Sequence, residues 1–367
     1  MTAQDRLAEG SEGGRGFLRS IQRTGLSSLT VTLPKSWTEA YHLTNGSLVQ
    51  LSVLGDGRLE VSPAGRPAVA ETARVLHIDA TGAPPKLVAR LLVGAYITGH
   101  DQIVVSARRE LSEELRQEVQ QVTGRVLGMT LTQEEPSRLE VGVFLDATKH
   151  RLSTLQERVV RMIRFELELC RTALESGQMG PLLRVDQVEE EIDRFYLLMS
   201  RQILLASNDF RVAREIGVPS HHFQLGYRMV AKMLEVTADL VATVATELTS
   251  EMPQGGDAQE LGRILSEFDA SLLATTSAFS DVSPVRAHAA LEQIEHAALL
   301  DSERAARWVG RSRDKSAAAK AQRILSSLAT ARQLLEIINE TTINRSVEPE
   351  TIARSGGGAM CAAALRA

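Results

Sequence analysis

Only two cysteines, Cys170 and Cys361, occur in the 367 residues. They are too few for a disulfide framework and share no metal-ligand spacing. Aromatic residues make up 4% of a chain that is 43% hydrophobic. The apolar content is therefore aliphatic, which favours helical packing over a β-sandwich. No uninterrupted apolar run approaches the ~20 residues that span a bilayer. The opening MTAQDRLAEGSEGG is polar and has no apolar signal-peptide region. Excess positive charge is missing too. A net charge of −5 and a pI near 6.0 exclude a uniformly basic nucleic-acid coat and confine any such contact to a local patch. No Gly-rich phosphate loop follows a strand, and no side chain stands out as a nucleophile. The expectation is a cytoplasmic protein that is not an enzyme and does not insert in membranes.

What is present falls into blocks. A chain of this length exceeds the ~250 residues at which single cores stop growing, so two or three domains are expected. Residues 1–14 read as a disordered tail. Over 15–65 the pattern is β-like: Arg19–Arg23 forms a strand, and Thr24-Gly25 turns. Leu29, Val31 and Leu33 then alternate with Thr30 and Thr32 as a half-buried strand. Pro34 opens a short helix through Trp37 and Tyr41, and SLVQLSVL and RLEVS make a hairpin around Asp56-Gly57. A second domain, 70–148, has the order βαβαββ and predicts a small α/β layer with helices on one face. From Leu152 onward the strand signals stop. Six amphipathic segments follow, at 152–177, 182–208, 221–250, 257–281, 285–310 and 314–343, punctuated by Gly and Pro. Their rhythm divides them into two three-helix sets, 150–250 and 256–345, as an internal repeat. The residues 346–367 read as a mobile tail. The fold class is multidomain α+β.

The candidate chemistry lies on two of the helices. In MLEVTADLVATVATE the charged side chains before Glu247 are Glu235 and Asp239, four residues apart and so on one helical face. Their neighbours are apolar or small, and a buried charge is expensive unless paired or bound to a metal. The earlier helix repeats the spacing with Glu189 and Asp193, at the edge of the stripe Val188, Ile192, Phe195, Met199. Facing carboxylates of this kind build bundle sites for hard or borderline cations. The alternative is neutralisation by Arg194 or Arg201 as ion pairs. No Glu-x-x-His accompanies the pairs, so a di-iron oxidase site is not indicated. In the second helical set His288, Glu292 and His296 fall at i, i+4 and i+8, a second metal ladder or a solvated polar stripe. The counterparts of Glu235 and Asp239 there are read as Ala329 and Gln333, which leaves the second set without an equivalent pair.

Arg15, Arg19, Arg23 and Lys35 lie in a stretch, Gly13 to Trp37, that contains no acid. On one strand face, Arg19 and Arg23 could meet a nucleic-acid backbone, with Ser27, Ser28, Thr30 and Thr32 donating to phosphate oxygens. They could equally be a solvated edge that blocks aggregation.

RSIQRTGLSSLTVTLPKSWTEAYHLTNGSLVQLSVLGDGRLEVSP resembles the AbrB/SpoVT (MazE-like) swapped-hairpin family. The basic strand, the strand ending in Leu-Pro-Lys, the short helix and the Gly-turn hairpin carry the likeness. It implies half of a swapped-hairpin β-barrel, an intertwined homodimer, and DNA contact through Arg19, Arg23 and Lys35. The helical region resembles the PhoU family. EEEIDRFYLLMSRQI is similar to its first acidic motif, which assigns a metal role to Glu189 and Asp193. AKMLEVTADLV is similar to its Lys-x-Leu-Glu-Arg-Ile-x-Asp segment, which assigns one to Glu235 and Asp239. Val236-Thr237 departs from that segment. The likeness implies a PhoU-like pair of three-helix bundles holding divalent or ferric ions (Fe, Mn, Zn or Mg). Together the resemblances imply a DNA-binding transcriptional regulator of phosphate uptake and homeostasis. Its partners would be the operator of phosphate-transport genes and transporter or signalling proteins. The alternative is an adaptor that does not bind DNA and represses a phosphate ABC transporter or sensor kinase by protein contact.

Overall fold

The computed structural model describes residues 18–25, 28–53, 59–63, 73–218, 220–250, 252–311 and 315–348. The chain divides into two compact units, Met1–Thr72 and Ala73–Ala367. The tail expected at 1–14, Arg15, the Asp56-Gly57 turn and, of the tail expected at 346–367, all but 346–348 lie outside the described residues; Ser346 closes the last helix.

In the first unit, β1 (Gln22–Thr24) pairs antiparallel with β2 (Ser28–Thr30), and Arg23 faces Leu29 across the ladder. Gly25 turns the chain at φ 78°, in the left-handed region that glycine enters without strain. Helix α1 (Lys35–Ala40) follows, started by Pro34, whose carbonyl accepts from Thr38 N at 3.0 Å. β3 (Val49–Val53) and β4 (Leu59–Pro63) form a separate antiparallel pair. Two expectations change. The ladder begins only at Gln22, so Arg19 precedes the strand, and it ends at Thr30, so Val31 and Leu33 fall beyond it. β2 is exposed throughout rather than half-buried. A two-stranded ribbon with no layer packed on it has little to extend it. Among the described residues of this unit none is buried; Leu18 is 97% and Leu48 75% exposed.

The second unit opens with β5 (Val75–Asp79), α2 (Pro85–Ile97), β6 (Gln102–Ser106), α3 (Glu113–Arg125), β7 (Met129–Glu135) and β8 (Arg138–Val143). The sheet order is β5-β6-β8-β7, parallel between β5 and β6 and antiparallel elsewhere. Ile103 and Val105 alternate onto the face that Val88, Leu92 and Val119 of the helices cover. Ser112 caps α3 by accepting from Leu115 N at 3.3 Å, which satisfies one of the orphan amides of the first turn.

The helical part comprises α4 (Leu152–Ser176), a 3₁₀ turn at Leu182–Arg184, α5 (Val185–Asn208), α6 (Phe210–Glu215), α7 (His221–Ser250), α8 (Gly256–Asp281), α9 (Pro284–Arg311) and α10 (Lys315–Ser346). Gly177 ends α4 at φ 67°, an αL cap. α4, α5 and α7 pack on one another, as do α8, α9 and α10, and α4–α8 and α7–α10 join the two sets. One apolar core runs through both, from Leu152 to Ile338. The α/β layer is not a loose spacer, because α2 packs on α5. Arg201 of α5, 2% exposed, donates to Tyr96 O at 2.7 Å, His100 O at 2.9 Å and Asp101 Oδ1 at 2.9 Å. Its neighbour Gln202 donates to Ala147 O at 2.6 Å and His150 O at 2.8 Å. Five hydrogen bonds from two adjacent side chains thus bind helix to sheet layer.

A candidate carboxylate metal centre

Three helices aim acids at one place in the first set. Glu189 and Asp193 of α5 and Asp239 of α7 bring one ligand oxygen each to within 4.8 Å of one another. The spacing of four residues stacks Glu189 above Asp193 on the groove side of α5, while Ile192, Phe195 and Met199 enter the core. Behind them stands Glu166 of α4, 0% exposed, whose two carboxylate oxygens have no hydrogen-bond partner. Burial, then the charges of Glu189 and Asp239, push its carboxyl up to about 9. Glu189 is pushed up to about 7 by burial and by Asp193 and Asp239. Asp193 is raised by burial and Asp239, against the pull of Lys232 and Arg125. Cys170, one turn beyond Glu166, is pushed up to about 12 by burial and by that acid.

Glu235 stands apart. Its carboxylate accepts from Lys232 Nζ at 2.7 Å, and it is held above the usual carboxylate range by burial, with Lys232 opposing. Neither expected arginine neutralises the cluster. Arg194 donates to Glu191 Oε1 at 2.8 Å and to Gly124 O at 3.4 Å, and Arg201 is taken by the sheet layer. Among the described residues no arginine is hydrogen-bonded to these acids, and the orphaned buried oxygens of Glu166 are what a bound cation would satisfy. The donor set, all carboxylate, suits a hard or borderline ion.

Glu166 was not legible as a ligand, although a signal exists. It falls on the buried stripe Val159, Ile163, Leu167, Cys170, where an ionisable side chain needs a reason.

In the second set His288, Glu292 and His296 lie exposed along α9, with His288 Nε2 3.7 Å from Glu292 Oε1. Laying AKMLEVTAD of α7 on LSSLATARQ of α10 matches the buried positions apart from Glu235 and keeps Ala329 at Glu235 and Gln333 at Asp239, both of them exposed. Laying α4 on α8 in the same way puts Thr275 at Glu166. Asn339 Nδ2 donates to Thr275 Oγ1 at 2.8 Å and to Leu335 O at 3.0 Å. Thr275 and Asn339 thus form a neutral pair that needs no ion. Arg332 meets Asp301 of α9 at 2.8 Å.

In the first unit Arg23 and Lys35 are exposed on either side of β2, and Lys35 Nζ lies 3.6 Å from Glu39. Arg19, also exposed, donates to Leu18 O at 3.1 Å.

Comparison with known families places residues 22–68 under a profile described as the antidote-toxin recognition protein MazE, a bacterial antitoxin. Among solved structures the chain is similar to the phosphate transport system regulatory protein PhoU from Streptococcus pneumoniae. That likeness has 15% identity and a TM-score of 0.43, and covers 53% of this chain and 95% of that one. No curated protein sequence matches the chain. Among the described residues no helix is long and apolar enough to cross a membrane.

Proposed function

We propose that the protein is a cytoplasmic, DNA-binding transcriptional regulator of phosphate uptake, without enzymatic activity, that works as a homodimer. The observation that carries the reading is the MazE-like region 22–68, whose described residues bury nothing while its apolar side chains stand in solvent. Two ribbons of this size are not stable alone, and a second copy that interleaves with them would supply the missing layer. Arg19, Arg23 and Lys35 would then meet DNA backbone from both protomers, which favours two-fold sites. The phosphate assignment comes from the likeness of EEEIDRFYLLMSRQI and AKMLEVTADLV to PhoU motifs.

The carboxylate centre fits one or more divalent or ferric ions, held by Glu189, Asp193 and Asp239 with Glu166 behind them. A bound ion would supply the positive charge that lets these acids ionise together. Glu235 would enter only by leaving Lys232. The second set, with Thr275 in the place of Glu166 and no acid at Ala329 or Gln333, is expected to hold no ion there.

The test is a gel shift of full-length protein on promoter DNA of phosphate-transport genes across a salt series, paired with elemental analysis. Binding should weaken with salt and drop at least tenfold in Arg19→Ala/Arg23→Ala, since each lost phosphate contact removes counterion release. No shift at any salt would favour the adaptor that acts by protein contact. Metal-free wild-type protein even after loading would remove the metal centre from the proposal.

A further inference from the structure

We infer that the groove between α4 and α8, on the seam of the two helical sets, binds the base of an adenine nucleoside or nucleotide. Its volume is about 330 Å³, at the lower end of the range for small-molecule sites. On the α4 wall Gln156 and Val160 stand four residues apart and so share a face. Gln156 is 3% exposed, yet among the described residues its side-chain amide makes no hydrogen bond. The comparably buried Gln202 and Gln224 both donate to backbone carbonyls, Gln202 to Ala147 O at 2.6 Å and Gln224 to Val218 O at 3.2 Å. A buried amide left unpaired is costly, and this one opens only on the groove it lines.

The charged side chains around the groove are already committed to one another. Arg164 donates to Asp269 at 2.7 Å, Arg286 to Asp281, and Arg161 lies 4.0 Å from Glu157. An anion would have to break one of these pairs, so the groove selects no charge. What it leaves unmet is a donor and an acceptor side by side on one planar amide. The complement is a flat ring with an acceptor and a donor adjacent on its edge, and adenine N7 and N6 meet glutamine in that way. The same edge of guanine carries two acceptors and cannot. Thr276, 5% exposed, donates to Leu272 O at 2.8 Å and keeps lone pairs for the second N6 hydrogen. Val160 and, across the groove, Leu273, 44% exposed, give the ring apolar walls. Ten residues of α4, ~15 Å by helix rise, separate Gln156 from Glu166, so binding here is read apart from the metal centre.

Calorimetric titration of the full-length protein with adenosine, AMP and GMP tests the assignment. Saturable binding of adenosine or AMP, one per chain, is expected, with GMP weaker than AMP by about tenfold or more. Gln156→Met keeps the volume and removes the amide; it should weaken binding about tenfold without lowering the melting temperature. Leu273→Ala, at a half-open position, should weaken binding severalfold. The tighter of adenosine and AMP identifies the source as nucleoside or nucleotide, and equal affinity means that the base alone is read; each supports the site. Absence of saturable heat with either up to about 10 mM would leave the amide to water and overturn the inference. So would GMP binding as tightly as AMP, or unchanged affinity in folded Gln156→Met and Leu273→Ala.

Discussion

Glu166 concentrates the physics of the site in one side chain. A carboxyl raised to about 9, beside Glu189 at about 7, binds its proton more tightly folded than unfolded. The folded state therefore holds more protons than the unfolded one between about pH 4.5 and 9, and stability must fall as pH rises through that window. Melts of chelator-treated protein should show this decline, and saturating metal should reverse it by mass action. Glu166→Gln keeps the shape and removes the charge. It should raise metal-free stability at pH 8 by about 1–3 kcal/mol while weakening metal binding at least tenfold; unchanged values for both would remove Glu166 from the centre. At this scale the sequence was legible where an acid stood alone. Glu235 and Asp239 sit in an uncharged stretch and announce themselves, yet the lysine that takes Glu235 lies three residues before it and was passed over. Glu166, in Phe-Glu-Leu-Glu-Leu, looks like half of a solvated pair until its stripe is drawn.

Helix boundaries are the best-read elements. Glycine and proline breaks at Gly177, Pro253 and Pro284 set the ends of α4, α8 and α9 within three residues, because apolar periodicity persists over many turns between them. α6 was missed; six residues after the Asp209 cap carry too little periodicity to register. The repeat was visible as a rhythm, and burial along α10 runs in the register that sets Ala329 and Gln333 against Glu235 and Asp239. The link between α5 and the sheet layer was illegible, because the acceptors of Arg201 are mostly backbone carbonyls that any sequence offers. Arg201→Met should cost about 3 kcal/mol, read by denaturant titration, and should increase hydrogen exchange in His100 and Asp101 more than in α9. A uniform increase would mean the arginine stabilises the unit without fastening these two parts.

For the whole molecule, the proposed contact with DNA by a chain of net charge −5 requires its N-terminal cations to act together, which two copies achieve better than one. Sedimentation should give a dimer. Leu51→Lys, placed on a strand whose leucine is 60% exposed in one chain, should weaken association about 30- to 100-fold if that face becomes interior. An unchanged dimer would put the interface elsewhere. α5 has a wider consequence. Its 24 residues make a rod of about 36 Å, with Glu189 and Asp193 near its first turns and Arg201 and Gln202 near its last. Both groups ride on one helix. On the proposed reading, an ion that drew Asp193 toward α7 would be expected to change hydrogen exchange at Asp101 as well, with α5 serving as a tie-bar between bundle and sheet layer.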